Sequence, residues 1–110
     1  MHLGELLARS GRIQDAIQQF EFALTVHPHH EALRNNLATA CFIEGDLPRA
    51  EVHYREALRV QPNYFNARFN LGRVLASQGR KVQAKQELDR ALVLQPGNAE
   101  VLEALRNLDS

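Results

Sequence analysis

At 110 residues the chain is long enough for one domain to bury a core without disulfide staples. Its 13 basic and 13 acidic side chains cancel, which excludes a global field that would draw in nucleic acid or an anionic membrane, and 45% apolar against 24% charged residues excludes a disordered or fibrous chain. The single cysteine, Cys41, excludes an intrachain disulfide and favours a cytoplasmic setting; no apolar run reaches the roughly 18 residues of a membrane span, and Met1-His2-Leu3-Gly4-Glu5 lacks the basic and apolar regions of a secretion signal.

In chain order, the residues fall into columns at a step of 34. Gly11, Gly45 and Gly79 form one column, Ala16, Ala50 and Ala84 another, then Ala23, Ala57 and Ala91, Leu24, Leu58 and Leu92, and Pro28, Pro62 and Pro96. Leu3, Leu37, Leu71 and Leu105 occupy a further column. So many coincidences make the repeat real. The first unit covers residues 1–30 and, counted back from Pro28, lacks four positions of the full period. In the second unit, 31–64, Leu37 and Cys41 fall four apart and Gly45-Asp46 breaks the pattern. Leu47, Ala50, Tyr54, Ala57 and Leu58 then step by three and four, the spacing of an amphipathic helix. Glycine at the break supplies a left-handed helix end, Pro48 suits the first turn of the next helix, and the closing proline stops it. The third unit, 65–98, repeats the scheme, and residues 99–108 carry Val101, Leu102, Leu105 and Leu108 behind Asn98 as a helix cap. Arg106 and Asp109 make this last helix polar where a partner would dock, as a terminal cap requires. The spacing predicts three antiparallel helix pairs and a capping helix, all in one domain spanning 1–110.

Small residues, Gly4, Ala38 and Gly72 on the first helices and Ala16, Ala50 and Ala84 on the second, let the paired backbones approach while Phe20, Tyr54 and Leu88 fill the space beside them. With the period, the alanine columns, the bulky column and the closing prolines together, the sequence resembles the tetratricopeptide repeat family over nearly its whole length. It departs from that family early in the first helix, where Arg34, Arg68 and Leu102 replace a large aromatic, and at Leu7, Cys41 and Leu75, where tyrosine is common.

The resemblance implies an all-α, right-handed superhelical solenoid that binds a peptide or partner segment in its concave groove, with no catalytic residue, metal or cofactor. Carried over position by position, the groove is expected at Asn36 and Asn70, one repeat apart, surrounded by Asn35, Thr39, Phe42, Asn66, Phe69 and Arg73. An amide donates and accepts, so the asparagines suit a peptide backbone; they suit hydrogen bonds between neighbouring helices equally well. Phe42 and Phe69 read as apolar anchors or as packing between repeats, and Arg73 as a partner for an acidic group. Some family members clamp the C-terminal carboxylate of chaperones. Of the matching places, Met1, Glu5, Asn36, Asn66 and Asn70, only Asn36 keeps the family's residue and every cation is lost, so chaperone-tail binding is not expected.

Other classes fare worse. Cys41 shares an inward column with Leu7 and Leu75, which suits a buried, inert thiol better than a nucleophile. Arg73, Arg80, Lys81 and Lys85 lack an aromatic run and are followed by Glu87 and Asp89, so a solvated face is favoured over an RNA patch. The isolated glycines form no nucleotide loop. Two further readings concern context: a targeting or substrate-recruiting segment of a larger enzyme such as a glycosyltransferase, and self-association through Leu3, Leu6 and Leu7 on an under-covered N-terminal helix. The histidines His27, His29 and His30 align with Gln61-Asn63-Tyr64 and Gln95-Gly97-Asn98 around the closing prolines, and so read as a turn rather than a metal site. His53 aligns with Gln19 and Glu87 on a column expected to be solvated.

Overall fold

The computed structural model describes residues 2–109, with side chains from residue 11 to residue 109. Six helices follow one another: α1 (His2–Val26), α2 (Glu31–Ile43), α3 (Leu47–Val60), α4 (Phe65–Ser77), α5 (Lys81–Leu94) and α6 (Ala99–Leu108). No strand occurs among the described residues. α2 pairs with α3 and α4 with α5; α1 lies on α2, α3 on α4, and α6 on both α5 and α4. The expected all-α helical-repeat solenoid is what forms.

The turns within units follow from their glycines. Gly45 stands at φ +85°, and beyond it the Asp46 N–H donates to the Cys41 carbonyl at 2.9 Å, the closing bond of a left-handed helix end. Asp46 then caps α3, its carboxylate accepting from the Arg49 N–H at 3.3 Å, with Pro48 in the first turn. Gly79, at φ +76°, closes α4 in the same way through a 3.0 Å bond from the Arg80 N–H to the Leu75 carbonyl.

The expected break at Gly11 is not made. α1 runs through it as one 25-residue helix, so two helix pairs form rather than three. Arg12 stands where Asp46 caps α3 and Gln14 where Pro48 starts it, so neither stop nor start signal accompanies this glycine. Arg80 and Val82 are equally weak signals, but α4 is held between α3 and α5, and that packing enforces the turn. The expectations for Leu3, Leu6, Leu7 and Gly4 lie outside the described side chains.

Leu37, Ala38, Cys41, Ala50, Tyr54, Ala57, Leu71, Leu75, Ala84, Leu88, Ala91 and Val101 are buried, as the columns require. The close approach is evident at Gly72, where a Cβ would lie 2.7 Å from Leu88 Cδ2. Burial pushes the Cys41 thiol above its ordinary value, which leaves it poorly placed as a nucleophile. Between units, His30 serves as the cap of α2, its Nδ1 accepting from the Leu33 N–H at 3.3 Å, and Asn98 caps α6 through a 3.1 Å bond from the Val101 N–H. Among the described residues no cluster of three or more His, Cys, Asp and Glu side chains is arranged to hold a metal. No helix among them is long and apolar enough to cross a membrane.

Candidate functional site

The first helices of the second and third units, α2 and α4, meet directly, and α6 continues the row. Along it Asn36 and Asn66 are exposed and Asn70 is half-buried. None of these three side-chain amides has a hydrogen bond among the described residues, so each keeps both donor and acceptor open. Asn35 departs from its expected place on the groove surface. It is 7% exposed, and its Oδ1 is buried with no partner among the described residues. Thr39 also turns inward. Its hydroxyl donates to the Asn35 carbonyl at 3.0 Å and stands 2.7 Å from the Tyr54 hydroxyl, which must therefore donate to it.

Phe42, Phe69 and Arg73 are brought together. The Arg73 guanidinium lies 5.4 Å from the centroid of Phe42 and 5.7 Å from that of Phe69, bridging α2 and α4 by a double cation–π contact. Phe65 stacks on Phe69 at 6.0 Å, extending the aromatic strip by one helical turn. Beside the strip opens a groove of about 330 Å³ between α2, α4 and α6, whose wall includes Phe42, Arg73, Ser77, Lys81, Asn107 and Leu108. Phe65, Lys81, Asn107 and Leu108 were not among the expected site residues. The spacing of four between Phe65 and Phe69 carried a signal for the first; Lys81 opens a second helix and Leu108 belongs to the cap, so nothing in the repeat pointed to either.

A second constellation takes the place of the early aromatic. The Arg68 Nε donates to the Pro62 carbonyl at 3.1 Å and its Nη1 to Glu87 at 2.9 Å, while Arg90 reaches the other Glu87 oxygen at 2.9 Å. One unit earlier, Arg34 extends towards the Pro28 carbonyl at 3.5 Å and its Nη1 stands 3.2 Å from His53 Nδ1. The column of Gln19, His53 and Glu87 is therefore not uniformly solvated. Gln19 is exposed, but the His53 side chain is half-buried and Glu87 is 6% exposed, because the arginines draw the last two inward.

Burial and the nearby Arg34 charge hold the His53 imidazole below its ordinary 6.5. The unfolded chain therefore takes up this proton first, and stability falls as pH drops below about 6.5 towards the folded-state value. The Glu51 carboxyl is raised by burial, yet hydrogen bonds from Arg80 and Arg55 more than reverse this, so its own loss of stability comes only below its ordinary 4.5. His53→Glu, which copies the Arg68–Glu87 arrangement, should remove the slope near neutral pH and add about 0.5–1 kcal/mol at pH 7. Urea denaturation at pH 7 and pH 5.5 checks both; an unchanged slope would mean that another group carries it.

Two family models described as tetratricopeptide repeat match the chain, one over residues 1–63 and the other over 42–108. The chain belongs to the tetratricopeptide repeat family. Its tetratricopeptide units are 33% identical over 107 residues to Protein CTR9 homolog of Arabidopsis thaliana, covering 96% of this chain and 10% of that protein. They are 30% identical over 98 residues to Protein O-mannosyl-transferase TMTC2 of Homo sapiens, covering 86% of this chain and 12% of that protein. The chain thus spans about a tenth of these relatives' length. Among solved tetratricopeptide structures, the first such domain of Spaghetti (RPAP3), bound to the HSP90 peptide SRMEEVD, superposes with a TM-score of 0.88 at 24% identity, covering 98% of this chain and 86% of that one. That likeness is one of fold.

Proposed function

We propose that this chain is a non-catalytic protein-interaction segment that holds an extended peptide or partner segment along α2, α4 and α6, organised as units 1–30, 31–64 and 65–98 with the closing helix 99–108. The observation that carries the reading is the pair of asparagines, Asn36 and Asn70, one repeat apart and free of hydrogen bonds to the described residues, beside the strip of Phe42, Arg73 and Phe69. Removing one net hydrogen bond costs about 0.5–1.5 kcal/mol, so Asn36→Ala combined with Asn70→Ala should weaken a true partner several-fold or more. Affinity capture from source lysate with the double variant as control tests this, with circular dichroism verifying that the helices persist. Partners retained in full by the double variant would sink the reading.

The partner class is protein, with neither nucleic acid nor membrane insertion, and the setting is cytoplasmic. Of the places that match the chaperone clamp, Met1, Glu5, Asn66 and Asn70 supply no cation, so a chaperone tail is not expected to be held through its terminal carboxylate. A second reading rests on the small share of the relatives that the chain spans, one of them a transferase: the units serve as the recruiting segment of a larger enzyme. Self-association through the N-terminal helix is a further proposal, checked by light scattering across a concentration series.

A further inference from the structure

We propose that the groove between α2, α4 and α6 selects a partner segment carrying an internal acidic side chain next to a large apolar one. This rests on peptide binding along the groove, as proposed above. Between Arg34 and Arg106, almost every basic residue has a polar partner. Arg34 has His53 and Pro28, Arg49 has Glu21 and Asp46, Arg55 and Arg80 share Glu51, Arg59 has Glu56, Arg68 and Arg90 share Glu87, and Lys85 has Asp89. Arg106 is engaged as well. Arg73 and Lys81 are the two with no hydrogen-bonded or ion-paired partner among the described residues, and both line the same groove of about 330 Å³.

The arrangement is organised before a ligand arrives. Phe42 and Phe69 hold the Arg73 guanidinium over their rings at 5.4 and 5.7 Å, which leaves the N–H edges of an exposed side chain for bidentate contact with a carboxylate. Phe42 and Leu108, both partly exposed, form the apolar wall next to it. Asn66 and Asn70 lie before Arg73 along α4, and Asn107 stands on the α6 side. Polar groups for a peptide backbone thus exist on both sides of the cation, so a chain passes Arg73 instead of ending at it, and the carboxylate is that of an aspartate or glutamate side chain.

The test is selection from a phage-displayed random-peptide library, followed by fluorescence anisotropy with the most enriched sequence, acetylated and amidated to remove terminal charges. Enrichment of Asp or Glu beside Leu, Ile or Phe is expected. Changing that acid to its amide should weaken binding about tenfold or more. Arg73→Gln should do the same, Arg73→Lys less, and Lys81→Gln less, while Arg73→Gln should have no further effect on the amide peptide. Enriched peptides without an acid that still depend on Phe42 and on Asn36 with Asn70 would overturn this inference and leave the groove reading standing. Peptides indifferent to all of these residues, or no enrichment at all, would overturn both.

Discussion

Tyr54→Ala is expected to lower stability by about 3–5 kcal/mol, a large share of the roughly 5–15 kcal/mol that holds a domain of this size. The ring is fully buried in a core cluster that includes Ala38, Ala50 and Ala57, whose short side chains cannot refill the space it would leave. Burial, opposed by the hydrogen bond to Thr39, raises the phenol to about 12, so the hydroxyl stays protonated and donates across the whole physiological range. Tyr54→Phe isolates that bond and should cost only about 0.5–1.5 kcal/mol, since Thr39 keeps the Asn35 carbonyl as its acceptor. Urea denaturation of both variants separates volume from hydroxyl. Equal losses for the two would show that the polar contact dominates and would contradict the cavity argument.

Glu87→Ala should cost about 1.5–3 kcal/mol, because it strips Arg68 of the charge that satisfies it inside the fold. The Arg68 and Glu87 side chains are 17% and 7% exposed, whereas Arg90, at 60%, can turn to water and lose little. The pair need not be a net gain over apolar packing. Glu87→Leu combined with Arg68→Leu should recover most of what either single change loses, a coupling that a double-mutant cycle by denaturation measures directly. If the double variant were as unstable as the sum of the singles, the two side chains would not act as a unit.

The repeat, the helix breaks at Gly45 and Gly79 and the inward columns were legible because many positions imposed the same pattern at once. Tyr54 and Leu88 were placed in the core by their column alone. Gly11 misled because glycine at a fixed spacing permits a turn without requiring one; the turn needs either a cap such as Asp46 or a neighbour on each side, as α4 has. Asn35 was legible as a groove-helix position but not in its burial, which depends on packing between helices that a within-repeat pattern does not carry. His53 and Glu87 were read as solvated because a polar column usually is. The signal against that lay in Arg34 and Arg68, two arginines one period apart at a place where the family keeps an aromatic, each needing a polar partner across the unit. The double contact of Arg73 with Phe42 and Phe69 joins two repeats, and a within-repeat pattern carries no information about it.

The arginines that replace the early aromatic also determine where the solenoid yields under load. An aromatic plug can slide and rotate a little in its socket, whereas a guanidinium held by a proline carbonyl on one edge and a carboxylate on another fixes direction as well as distance. At the entry to the third unit Arg68 has both holds, through Pro62 and Glu87. At the entry to the second, Arg34 meets a histidine and a carbonyl at the 3.5 Å limit of hydrogen bonding, and its Nε is buried with no partner. Compliance is therefore uneven along the superhelix. A partner that pulls on the groove bends the joint between α1 and the second unit first, and amide hydrogen exchange should report this as faster opening at the start of α2 than at the start of α4.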